Sequence, residues 1–237
     1  MSRLHAGIVL TAVSRLRDGR PGGFWVAEAA YPWRALATCG WRVSTLSTAD
    51  AEPEHGAIDR SDPIQRDFLL DPVVRRELAG TRRAETYSAQ DFDVMVVCGG
   101  PGALHDLALN PTLGELIGGV VARGGVVAAL GHGVAALLET PAGERGLLRD
   151  RMVAAPTVEE ERIYGVAEQA PFQLAAELRR RGARQRPGRA FHPHVVHDGA
   201  VLTAQNPASA PLLATCLLSA TSGLSPAGAN GPPTGPH

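Results

Sequence analysis

The stretch Val126-Val127-Ala128-Ala129-Leu130, running straight into Gly131-His132-Gly133 and then Val134-Ala135-Ala136-Leu137-Leu138, constrains the fold more than any other. An unbroken apolar run, a glycine-flanked corner and a series of small and aliphatic residues describe a buried strand that turns sharply into a helix. In α/β proteins this layout lifts one side chain out of the sheet at a strained corner, where a nucleophile commonly sits. Here the corner residue is Gly131, which has no side chain to present.

The rest of the chain supplies partners for such a strand. Gly7-Ile8-Val9-Leu10-Thr11-Ala12-Val13 is a second buried strand candidate, followed by the turn-forming Arg20-Pro21-Gly22-Gly23 and an amphipathic helix over residues 24–39 that stops at Gly40. Trp41-Arg42-Val43-Ser44-Thr45-Leu46-Ser47 closes a βαβ unit, whose strands pair in parallel. Val94-Met95-Val96-Val97-Cys98 ends on Gly99-Gly100-Pro101-Gly102, and Asn110-Pro111 opens a helix with a capping residue and a proline at its first position. Later segments read as a helix over residues 172–181, a strand pair around Asp198-Gly199 and a closing helix over residues 207–219. The expected fold is a flavodoxin-like, doubly wound α/β domain over residues 1–220. Its sheet is mostly parallel with helices on both faces, and a polar, lid-like insertion spans about residues 50–90. Residues 221–237 are mostly Gly, Pro, Ser and Ala with little to bury and read as a disordered tail.

Composition removes several function classes. All 23 basic residues are arginine, so Schiff-base chemistry and the phosphate-binding lysine of a P-loop are excluded. A net charge of -1 gives no field that would draw nucleic acid or an anionic membrane, which leaves a small molecule as the expected partner. Cys39, Cys98 and Cys216 have neither the count nor the spacing of a disulfide framework, and Met1-Ser2-Arg3-Leu4-His5 lacks a signal-peptide core. A cytoplasmic location is expected. His192, His194 and His197 are separated by Pro193 and strand-like residues and do not form a compact ligand set, so neither a metal nor another cofactor is expected.

In an open parallel sheet, functional groups gather at the carboxyl ends of the strands. Three segments reach that edge: the loop after the first strand with Trp25 and Glu28, the Gly99-Gly100 turn, and the corner at Gly131-His132. Glu28 reads either as a surface acid favoured by a helix N-terminus or as a carboxylic acid buried beside Trp25, and burial would raise its pKa.

Taken in order, these residues resemble a known family. Gly23-Phe24-Trp25 with Glu28, Asp93 with Gly99-Gly100 and Gly102, Asn110-Pro111, Gly131-His132-Gly133, the run Glu159-Glu160-Glu161, Pro171-Phe172 and Gln205-Asn206-Pro207-Ala208-Ser209-Ala210 are similar to the PfpI superfamily. The similarity is to its chaperone and glyoxalase III branch, within the class I glutamine amidotransferase-like fold, and covers roughly residues 5–220. It implies a cysteine at position 131, here glycine, with His132 beside it, Glu28 sharing the thiol's proton and Glu161 as the third group. The backbone amides of Gly99, Gly100 and His132 would form an oxyanion site. Trp25 would line the substrate pocket, together with two departures from the family pattern: Pro101 replaces the usual histidine after the double glycine, and His105 replaces the usual aromatic residue before Asp106. Relatives commonly pair as homodimers. Glu161 reads equally well as the ordinary charged start of a helix capped by Thr157.

Without a thiol, covalent hemithioacetal chemistry cannot run through position 131. The vacancy is expected to admit a larger substrate or a water between Glu28 and His132. Cofactor-free acid/base chemistry of lyase, hydratase, isomerase or cyclase type on a carbonyl-bearing small molecule is the expected function. The alternatives are a catalytically silent scaffold acting as a chaperone or ligand-binding protein, and a thiol-independent glyoxalase III-like activity, from which no lactate above background is expected.

Overall fold

The computed structural model describes residues 3–143 and 146–224; the segment 225–237, and with it most of the expected tail, lies outside the described residues. The chain begins with β1 (His5–Val9), α1 (Val26–Thr38) and β2 (Arg42–Ser47), the expected parallel βαβ unit, with Ile8 registered against Thr45. The insertion follows as α2 (Pro63–Leu70), α3 (Pro72–Ala79) and a short β3 (Arg82–Arg83). Asp62 and Asp71 each precede a proline at the helix start and accept amide hydrogen bonds from the first turn, which explains two helices back to back. The insertion is folded onto the domain: β3 extends the sheet beside β2, Phe68 meets Trp33 of α1 edge-on, and Val74 and Leu78 join the same core cluster.

Next come β4 (Val94–Val97), the short α4 (Ala103–Asp106), α5 (Pro111–Ala122) and β5 (Val126–Leu130). Asn110 caps α5 as its sequence implies, accepting from the Leu113 amide at 3.0 Å. After β5 the expected helix is instead a 3₁₀ segment, Gly131–Glu139, buried as far as Leu138. The chain ends with β6 (Met152–Val153), α6 (Val158–Ile163), α7 (Leu174–Arg180), β7 (Arg184–Gln185), β8 (Val195–Asp198), β9 (Val201–Ala204) and α8 (Ala210–Thr221).

The main sheet has seven strands in the order β3-β2-β1-β4-β5-β9-β8, all parallel except the β8–β9 hairpin, while β6 and β7 form a separate small pair. This is the flavodoxin-like order, with helices on both faces. The strands read as continuous apolar runs because both faces are covered: Val94 and Val96 pack with α1 and α8, whereas Met95 and Val97 face α5 and the 3₁₀ segment. Strand order reverses between β1 and β4, so the crevice at their carboxyl ends is where such a sheet places a ligand. Among the described residues, no helix is long and apolar enough to cross a membrane.

Candidate active site

Three turns at the carboxyl edge are pressed together at this crevice. The loop after β1 delivers Trp25 as the N-cap of α1 and Glu28 in its first turn. The Trp25 amide donates to the Gly99 carbonyl, tying that loop to the turn after β4. Gly100 adopts φ +122°, and a Cβ there would collide with the Gly23 carbonyl, so the double glycine is what lets the two loops meet. At the end of β5 the chain turns through Gly131 with φ +51°, so the sharp corner read from the sequence is a left-handed one.

Glu28 is fully buried. Its Oε2 accepts the Gly99 amide at 2.6 Å, while Oε1 has no hydrogen-bond partner among the described residues and points at Gly131. Burial pushes the Glu28 carboxyl up to about 8, against a smaller lowering by the Gly99 amide. The group is therefore mostly a neutral acid near neutral pH. Because Oε2 is engaged as an acceptor, the proton belongs on Oε1.

Two expectations need correction here. Gly99 is not a free oxyanion donor, because its amide is committed to Glu28. Nor is the corner at Gly131 an open hole: a Cβ placed there would stand 2.7 Å from Glu28 Oε1, so the carboxyl group itself fills the space. The His132 amide is in the first turn of the 3₁₀ segment, where amides lack an acceptor within the helix, and it lies against Gly99.

His132 is 1% exposed, and among the described residues neither ring nitrogen has a hydrogen-bond partner. Its Nε2 lies 3.3 Å from Glu161 Oε1, close enough for an ion pair but without hydrogen-bond alignment. The structure therefore brings Glu28, Gly131, His132 and Glu161 together. Trp25 adds its ring edge-on to His132 at 6.4 Å. Pro101 is buried, and His105 is half-buried on α4 next to Arg17 and Asp106, its imidazole lowered by burial and then by Arg17. Cys98 is buried under the site with its thiol donating to the Glu28 carbonyl at 3.4 Å; burial, then the Glu28 charge, push that thiol up, so it is held as a thiol rather than a nucleophile.

Two neighbours, Tyr164 and Phe191, lie outside the motifs read from the sequence, and a third, Glu160, was read there only as part of the Glu-Glu-Glu run. Tyr164 stacks edge-on against Trp25 at 4.7 Å, and Phe191 against Tyr164 at 5.4 Å. Glu160 is completely buried, accepting from the Thr157 amide and hydroxyl, the Phe191 amide and the Asn206 side chain at 2.7–2.9 Å. Burial alone would raise its carboxyl, but these donors together hold it below its ordinary value. The Glu-Glu-Glu run is thus divided by role: Glu159 is exposed, Glu160 anchors α6 and Glu161 faces His132. His192, His194 and His197 turn ring nitrogens to three different carbonyls, those of Ala190, Arg186 and Gly199. Among the described residues, no group of three or more His, Cys, Asp or Glu could hold a metal ion.

Residues 22–220 match the family model described as DJ-1/PfpI family. The chain belongs to the DJ-1/PfpI family. It is 26% identical over 211 residues to the glutathione-independent glyoxalase HSP31 of Saccharomyces cerevisiae, covering 81% of this chain and 86% of that one. To glyoxalase 3 of Candida albicans it is 25% identical over 211 residues, covering 81% and 87%. Among solved structures, the Francisella tularensis rapid encystment protein of 24 kDa superposes with a TM-score of 0.87 at 23% identity, covering 92% of this chain and 98% of that one. Glyoxalase III of Candida albicans superposes with a TM-score of 0.83 at 21% identity, covering 92% and 97%. At these identities the superpositions establish the fold.

Proposed function

We propose that this DJ-1/PfpI chain converts a 2-oxoaldehyde to the corresponding 2-hydroxy acid by acid/base catalysis, with Glu28 and His132 moving the protons and no covalent thiol intermediate. The observation that carries it is the Glu28 carboxyl group, neutral near physiological pH, with its Oε1, unpartnered among the described residues, at the side-chain-free corner that immediately precedes His132 in the chain. The names of the curated relatives favour this glyoxalase-type reaction over a general lyase or hydratase.

The chemistry closes without an external oxidant. Water adds to the aldehyde to give the hydrate, R–CO–CH(OH)₂. His132 takes the proton on C1 while Glu28 donates its own to the C2 oxygen, giving R–C(OH)=C(OH)₂. The imidazolium then returns its proton to C2, and a C1 hydroxyl returns one to Glu28. Carbon 1 is oxidised, carbon 2 is reduced, and both side chains end as they began. Glu161, opposite Nε2, stabilises the transient imidazolium.

The test is an initial-rate assay of methylglyoxal loss and lactate formation by the wild type, Glu28→Gln and His132→Ala. Lactate formation that falls at least about 100-fold in each variant is expected, the usual range for loss of a general acid or base. Full activity in Glu28→Gln contradicts the mechanism. One observation favours a silent scaffold as the second reading: the Glu28 carboxyl group occupies the corner itself, with Glu28 0% and His132 1% exposed. Absence of any 2-hydroxy acid from the wild type decides for it.

A further inference from the structure

Aromatic rings form a continuous ladder from the buried proton-handling pair to the surface. His132 meets Trp25 at 6.4 Å and 79°, Trp25 meets Tyr164 at 4.7 Å and 72°, and Tyr164 meets Phe191 at 5.4 Å and 85°. Every step is edge-to-face, the arrangement favoured by the ring quadrupole. Exposure rises along it, from 1% at His132 and 9% at Trp25 to 36% at Tyr164 and 37% at Phe191. A ladder serving the core alone would end under cover; this one ends in two half-open rings. On α6, whose C-cap is Tyr164, Val158 and Ile163 are also exposed, so the helix leading to the outer rings carries apolar surface.

The outer ring is held in place at some expense to the backbone. Phe191 has φ +61°, a left-handed conformation that is strained for a bulky residue. Its amide is fixed at 2.9 Å by the carboxylate of Glu160, the same group that caps α6 and so sets Glu161, the next residue, against His132. One buried carboxylate thus registers the outermost ring with the proton-handling pair. Strain of this kind persists where the surroundings over-determine it, as they do in ligand clamps.

We infer that Trp25, Tyr164 and Phe191 form an aryl-binding subsite, and that the 2-oxoaldehyde taken by this chain carries an aromatic ring. This rests on the reaction proposed above, with phenylglyoxal and its product mandelate as the simplest probes. The aldehyde end reaches Glu28 and His132 while the ring adds an edge-to-face partner to the ladder.

Initial rates with phenylglyoxal and methylglyoxal test it, in the wild type, Phe191→Gly and Tyr164→Leu. Phe191→Gly relieves the left-handed backbone as it removes the ring, so a change in preference is separable from misfolding. The expected kcat/KM for phenylglyoxal is about tenfold above that for methylglyoxal, falling to within about twofold in each variant. No preference in the wild type, or an unchanged preference in both variants, overturns the subsite. If neither aldehyde is turned over, the proposed reaction fails and calorimetric titration with mandelate and lactate decides on the subsite alone. Mandelate binding about tenfold tighter than lactate, with the difference lost in Phe191→Gly, supports it; equal affinity, or no binding of either, overturns it.

Discussion

Replacing Glu28 by glutamine should stabilise the protein, and by an amount that depends on pH. The folded carboxyl titrates near 8 against an ordinary value of 4.5, because burial disfavours its charge. Between those values the folded state holds a proton that the unfolded chain has released. Stability therefore falls as pH rises from about 4.5 towards 8, and the loss is complete above the folded value. At about pH 7.5 the gap is roughly 3 units, worth about 4 kcal/mol at about 1.4 kcal/mol per unit. Glutamine never charges, its side-chain oxygen can keep the Gly99 amide bond, and Gly131 has no Cβ to crowd its amide group. Titrating groups shared by the two proteins cancel in the difference. Urea unfolding at a series of pH values should give a Glu28→Gln advantage that is near zero at about pH 4.5 and grows by several kcal/mol by about pH 7.5, although the proposed mechanism expects little turnover from the variant. A difference that stays flat with pH, or a glutamine variant that is less stable at neutral pH, refutes the assignment of a neutral buried acid.

Three further outcomes follow from the same geometry. Gly131→Cys puts a side chain on a left-handed backbone and a Cβ 2.7 Å from Glu28 Oε1, so thermal unfolding should show a loss of about 1–2 kcal/mol, with no gain in turnover. Asp106 accepts at 2.7 Å from the Thr11 hydroxyl, the Ala12 amide and the Thr48 hydroxyl, clipping the loops after β1 and β2 to α4. Asp106→Ala strands these donors and should lower denaturant stability by about 2–3 kcal/mol. Cys39 is exposed whereas Cys98 is buried with its thiol pushed up, so mass spectrometry after brief alkylation should find Cys39 modified and Cys98 modified only once the chain unfolds.

Much of the scaffold was legible because local rules and tertiary structure agree. The apolar runs at Val94–Val97 and Val126–Leu130 are strands covered on both faces, and Asn110-Pro111 starts a helix by the capping chemistry its residues dictate. The corner at Gly131 was also readable, since a glycine between a buried strand and a run of small residues leaves few other geometries. What lay beyond the sequence depends on distant segments meeting. The commitment of the Gly99 amide to Glu28 joins residues 71 apart in the chain. Glu160 looks like any acid at a helix start until Phe191 and Asn206 arrive as donors. Tyr164 and Phe191 carry no local pattern that marks them as neighbours of Trp25. The 3₁₀ form of Gly131–Glu139 was likewise unreadable, because small apolar residues suit either helix.

Proton traffic through His132 is tested most directly by running the reaction in D₂O and reading the product by NMR. With methylglyoxal or phenylglyoxal as substrate, transfer of the C1 proton to an imidazole that exchanges with solvent should leave deuterium on C2 of the 2-hydroxy acid, and Glu28→Gln should form little product. A 2-hydroxy acid that retains the original hydrogen on C2 would mean direct hydride migration, and would contradict the assignment of His132 as the base.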